Sequence, residues 1–261
     1  MLRTLIVAVA CLCFVSSGIT GEEPKKTAAS PADQYKRLVE QYEQDGVVRE
    51  FSGQFLNLAQ QHPKDPVAVD ALLWVVTKVR SGAELTIALE TLSKNHIKSK
   101  KLESVCRWLV RKPSVAAEKL LRALMEKSPH RNVRAQACFQ FADYLKRQVA
   151  MIHTLKEDPD QAKRFDQYYG KGFSKHLVSL NVAELSEEIE KLYARVVKSF
   201  ADVPVGESTM GKTAEKELFA IRHLSLGGKA PGIEGLDLDG KSFKLSDYRG
   251  KVIVLDFWGN W

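Results

Sequence analysis

The sequence is that of a mainly α protein: a helical array, tetratricopeptide-like or an irregular bundle, followed by the first strands of an α/β unit. Three observations predict this. From about Ala32 to Leu226 apolar residues recur at helical spacing. That stretch is cut by short Pro-containing breaks rather than by strand-type alternation. At "LGGKAPGIEG", Leu226 to Gly235, glycine and proline crowd together and alternation replaces the helical period.

The elements follow in chain order. Arg3 and the apolar run Leu5–Val15 precede the small residues Ser16-Ser17-Gly18, with Gly21 as a second cleavage position, so residues 1–21 read as an export signal. The run is too short to span a bilayer. A buried N-terminal helix, an uncleaved anchor, or lipid attachment at Cys11 are the other readings, although Ala8 stands where lipid sites usually carry Leu. An exported chain in the periplasm or cell envelope is expected. Residues 22–31, "EEPKKTAASP", form a charged, small-residue linker.

Residues 32–226 are the helical domain. "HPKDP" (His62–Pro66), "RKPS" (Arg111–Ser114) and "SPHRN" (Ser128–Asn132) each close one helix and open the next. Ser114 is an N-cap candidate before "VAAEKLLRALMEK". Leu185, Ile189, Leu192, Val196 and Phe200 make one helical stripe, with Asn181 or Ser186 to cap it and Pro204 and Gly206 to end it. Leu58, Pro63, Val67 and Ala71 recur as Leu124, Pro129, Val133 and Ala137, an offset of 66 residues. That is close to two periods of a 34-residue helix–turn–helix repeat. "DPDQAKRFDQYYGKGFSKH" (Asp158–His176) is less regular. It reads as a packed turn between long helices, or as an aromatic binding loop through Tyr168, Tyr169 and Phe173.

Residues 227–261 form a second unit. Leu236 and Leu238, then Phe243 and Leu245, alternate as strands about an Asp239-Gly240 turn. Ser246 can cap a brief turn holding Asp247 and Tyr248. Val252–Phe257 is almost continuously apolar, as strands covered on both faces are.

Composition narrows the function. The chain has 261 residues, 44% hydrophobic, enough for a core, and a net charge of +7. Its densest basic cluster is Lys98, Lys100, Lys101, Arg107, Arg111 and Lys112, with Trp108 as its one aromatic. No nucleic-acid motif accompanies it, so it reads as a solvated helix face and no nucleic-acid partner is expected. The six histidines show no zinc spacing, and no metal or cofactor is expected. Beyond the signal only Cys106 and Cys138 remain, either paired as a disulfide or buried as small hydrophobes, the latter preferred.

"GKAPGIEGLDLDGKSFKLSDYRGKVIVLDFWGNW" (Gly228–Trp261) resembles the opening of redoxin-type thioredoxin-like domains, namely exported thiol–disulfide oxidoreductases and their peroxiredoxin relatives. The matching features are the "GKAP" start, the Asp-x-Asp-Gly-Lys hairpin, "LSDYRGK" and the "VIVLDFWxxW" strand. The resemblance implies a Cys-x-x-Cys pair immediately after Trp261, with its first thiol activated at a helix N-terminus. Neither cysteine is in the sequence, so the chain is expected to be a fragment, inactive by itself. The resemblance also makes Asp256 a buried proton acceptor for the inner cysteine, and Trp258 and Trp261 an apolar wall beside the redox site. The implied partners are protein disulfide or thiol substrates and a redox partner protein, recruited by the helical domain. A peroxidatic pattern would need Pro at Leu255 and Thr at Gly259, which favours disulfide exchange over a peroxiredoxin-like antioxidant. The other class is a helical-repeat scaffold of the cell envelope.

Overall fold

The computed structural model describes residues 29–224 and 231–256. The export signal, most of the linker, the Leu226–Ala230 junction, Trp258 and Trp261 lie outside the described residues. Among those described, the chain is mainly α, with eleven helices and two short antiparallel strand pairs.

Helix α1 (Pro31–Asp45) is capped by Ser30, whose hydroxyl accepts from Asp33 N, and ends at Gly46 in the left-handed region. It packs on α2 (Val48–Gln61) and α3 (Pro66–Lys78) through Tyr35 and Tyr42, edge-on to Phe55 and Trp74. Phe55 and Trp74 stack with centroids 4.0 Å apart. Asp65 caps α3 and Pro66 fills its first turn, where the absent N–H costs nothing.

Then come α4 (Ala83–Asn95), α5 (Leu102–Leu109), α6 (Val115–Lys127) and the long α7 (Arg131–Glu157). The three breaks read from sequence separate α2 from α3, α5 from α6, and α6 from α7. Ser114 accepts from Ala117 N at 3.2 Å and so caps α6. Neighbouring helices pack α2 on α3, α3 on α4, α4 on α6, and α6 on α7. Leu58, Val67 and Ala71 on one pair, and Leu124, Val133 and Ala137 on the other, are all buried. Ala71 and Ala137 have no exposed surface, and their small side chains let the helices approach.

The irregular stretch is helical, which corrects the packed-turn reading. It forms α8 (Gln161–Tyr169) and α9 (Phe173–Val178), joined through Gly170 and Gly172, both at positive φ. Asp166 accepts from Ser174 N across that joint at 2.7 Å, so a side chain holds the turn that periodicity alone does not show. Phe173 and Leu177 join Met151, Ile152 and Leu155 of α7 in a small second core. The main core runs from Phe51 to Leu218.

Helix α10 (Val182–Phe200) is capped by Asn181, while Ser186 lies inside it and bonds back to Val182 O. A hairpin of β1 (Pro204–Val205) and β2 (Ser208–Thr209) returns the chain into α11 (Met210–His223), which packs on α10. Gly211 makes that return possible. A Cβ there would stand 2.7 Å from the Ala201 Cα and Cβ, so only glycine fits.

C-terminal to the array, β3 (Glu234–Leu236) pairs with β4 (Ser242–Lys244), Gly235 opposite Phe243. The strands are shorter than predicted. Leu238 falls in the turn and Leu245 opens a 3-10 turn ending at Tyr248, with Ser246 inside it rather than capping it. Asp237 Oδ1 accepts from Asp239 N and Lys241 N, which draws the chain round before Leu238 can pair. The predicted strand Val252–Phe257 is also corrected. Val252–Asp256 forms no strand and is exposed, because β3 and β4 pair only with each other among the described residues. An apolar strand without a neighbour has no partner for its N–H and C=O groups.

Candidate functional site

Asp256 sits at the end of this exposed stretch, and the burial expected of it is absent. Val252 and Val254 are 97% and 88% exposed, so among the described residues no apolar environment surrounds the carboxyl. Trp258 and Trp261 lie outside the described residues. The residues expected to frame a redox site are therefore not brought together by any described contact. The hairpin that precedes them in sequence is well made: the Lys244 ammonium pairs with Glu234 at 2.9 Å across the strands, and Gly240 takes the positive φ that closes the turn.

The two described thiols lie inside the helical array. Cys106 and Cys138 are free and buried, which removes the disulfide reading. Cys106 Sγ faces Leu102 O within α5, and Cys138 Sγ faces Leu192 O between α7 and α10. Each is held in place by its own neighbours, so neither is aimed at the other. Burial pushes both thiols up to about 12, so neither forms a thiolate near neutrality. Among the described residues no three His, Cys, Asp or Glu side chains gather as metal ligands. No helix among them is long and apolar enough to cross a membrane.

The helical array holds polar groups that sequence reading did not single out. Lys112, placed on a solvated face by its neighbours in sequence, is buried instead. Its Nζ donates to the carbonyls of Val76, Thr77 and Val79, closing the C-terminus of α3. Burial, assisted by the nearby Arg80 charge, lowers its pKa to about 8. Pro113 next to it hinted at a turn, but no spacing signals that a lysine before it folds inward. Tyr193 donates to Asp143 Oδ1 at 2.6 Å, and burial holds that carboxyl above the usual range. Tyr144 OH donates to Ser114 O and accepts from Ser114 N, fixing the start of α6 on α7.

The rest of the basic cluster is exposed. Lys101 pairs with Asp70 at 2.6 Å. Lys98, Lys100, Arg107 and Arg111 make no ion pair among the described residues. The aromatic group of α8 is tied to the array: Arg80 lies over the Tyr168 ring at 4.4 Å, and Arg147 donates to Tyr169 OH at 3.2 Å.

Part of the chain is similar to curated thiol–disulfide oxidoreductases. It is 45% identical over 38 residues to "Thiol-disulfide oxidoreductase ResA" of Geobacillus thermodenitrificans, covering 15% of this chain and 22% of that protein. The same-named protein of Geobacillus kaustophilus is 36% identical over 72 residues, 27% of this chain and 41% of that one. The Bacillus anthracis protein is 38% identical over 53 residues, 20% and 31% respectively. The chain thus spans between about a fifth and two-fifths of the length of these relatives. These similarities support a thioredoxin-like, thiol–disulfide relationship. No family model matches the chain, and no solved structure matches it.

Proposed function

We propose that the chain belongs to an exported thiol–disulfide oxidoreductase of the thioredoxin-like redoxin family. Residues 32–226 form a helical partner-binding domain and residues 227–261 open the redox domain. The similarity over 38 residues to a thiol–disulfide oxidoreductase carries this reading. We take it to fall on the C-terminal segment that contains Gly228–Trp261, whose motifs suit it. Disulfide exchange needs a thiolate to attack and a second thiol to resolve the mixed disulfide. Cys106 and Cys138 are unsuited to either role, being buried and protonated. The reactive pair is the Cys-x-x-Cys that the resemblance sets directly after Trp261. Within that completed domain Asp256 is the proton acceptor and Trp258 and Trp261 flank the thiols.

The test is insulin reduction by dithiothreitol. The 261-residue chain is expected to show no catalysis above background. A chain extended past Trp261 through its own next codons is expected to catalyse. Catalysis by the shorter chain that survives Cys106→Ser and Cys138→Ser overturns the role given to the missing pair. An extension without thiols overturns the enzyme reading.

A second reading is favoured by the buried helical core itself, continuous from α2 to α11 without any residue of 231–256. It is a scaffold of the cell envelope, in which binding is the whole activity.

A further inference from the structure

Helix α5 and the turn before it, facing α3 and α7, present a groove of about 580 Å³ whose walls carry Lys100, Lys101, Glu103 and Arg107. Asp70 on the α3 side is already taken by Lys101. Lys100 and Arg107 make no ion pair among the described residues, and both are exposed. Lys98 and Arg111 extend the same uncompensated charge along the surface. Three cations thus line the groove against two carboxylates, and with Lys101 and Asp70 engaged with each other, Lys100 and Arg107 stand against Glu103. Such an excess attracts an anionic partner and raises its rate of arrival.

Two further features say what kind of anion. Gln136 of α7 lines the groove and is only 8% exposed, yet its amide makes no hydrogen bond among the described residues. Its amide, open to the groove, offers a donor and an acceptor together, the complement of a peptide C=O and N–H. Trp108, next to Arg107 in sequence and outside the groove's lining, is 42% exposed. An exposed Trp next to arginines is the composition of an energetic anchor at a protein interface.

We infer that this groove binds an acidic, extended peptide segment of a partner protein. Its carboxylates pair with Lys100 and Arg107, its backbone amide with Gln136, and an apolar side chain rests on Trp108. This deepens the partner-binding reading of the helical domain and rests on it, but uses nothing from residues 227–261. Loss of insulin reduction and loss of peptide binding are therefore separate outcomes.

The experiment titrates the full chain into a fluorescein-labelled peptide of Asp, Glu and Gly with one central Phe, followed by anisotropy. Saturable binding that weakens with added salt is expected. The Lys100→Ala/Arg107→Ala variant, altered only at the surface, is expected to weaken it roughly tenfold. Trp108→Ala and Gln136→Leu are each expected to weaken it roughly fivefold or more, with unchanged helical circular dichroism. Absence of saturable binding overturns the inference. So does binding that is lost with Lys100 and Arg107 but indifferent to Trp108 and Gln136, which is a diffuse charge effect. Tighter binding of duplex DNA, or of phosphatidylserine vesicles, with the same variant dependence also overturns it.

Discussion

Lys112 Nζ lies 2.6 Å from the carbonyl oxygen of Val79, the residue that ends α3, and also holds the carbonyls of Thr77 and Val76. A helix C-terminus leaves its last carbonyls without intrahelical partners. Here one ammonium from the α5–α6 turn serves three of them. Lys112→Met removes all three bonds at once and leaves buried acceptors unpaired. The expected loss is about 1–3 kcal/mol in urea unfolding. An unchanged midpoint would mean that water replaces the ammonium at no cost.

Tyr144 and Ser114 exchange two hydrogen bonds across the α6–α7 contact, at 3.1 and 3.2 Å. Tyr144→Phe keeps the ring and removes both. The expected destabilisation is about 1–2 kcal/mol, with faster amide exchange at Ser114 than elsewhere in α6. Uniform exchange across α6 would count against this bond as the local clamp.

Ala71 and Ala137 stand 66 residues apart, on α3 and α7, and are wholly buried. Enlarging either to Leu is expected to cost about 1–3 kcal/mol through overpacking. Equal effects at the two sites, measured by thermal unfolding, support a shared helix-pair geometry. A neutral effect at one site alone speaks against it.

His96 gives the acid response. Its Nε2 is buried without a hydrogen-bond partner, and burial lowers the imidazole below its ordinary value. The unfolded chain then binds a proton at His96 before the folded chain does. Stability from this residue is present above the unfolded pKa and falls as pH drops through the folded one. Relative to His96→Leu, the native chain is expected to lose stability below about pH 6.5. Parallel stability curves for the two proteins would remove His96 from that role.

Deleting residues 230–261 tests the two-unit organisation. Leu236, Leu238 and Val252–Leu255 expose apolar surface, and exposed apolar surface of that kind favours association. The deletion is expected to raise solubility while ellipticity at the helical minimum changes little, because no α-helix lies in the described part of that segment. A large helical loss would show that the array depends on it.

Much of the array was legible in sequence because its signals are local. Ser114 and Asn181 cap the helices they precede, and the stripe Leu185–Phe200 faces the core as its period requires. The α3 and α6 starts follow from Asp65-Pro66 and Pro113-Ser114. Lys112 reads in sequence as one more cation of a solvated face, because its burial depends on where the α3 carbonyls end, a relation across more than thirty residues. The joint between α8 and α9 is hidden for a similar reason: Asp166 reaches over two glycines that look like an interruption. The candidate site was legible only as motifs. Asp256 has the neighbours of a buried acid in sequence, but burial needs covering strands and helices that the described residues do not supply.

Helix α7 spans 27 residues, about 40 Å. Its first turns are clamped between α6 and α10, and its last turns carry the separate patch under α8 and α9. One continuous rod therefore has a firmly gripped end and a lightly gripped end. Heating should fray it from the Glu157 side, and whatever seizes α8 and α9 will pull on the same beam that seats Gln136.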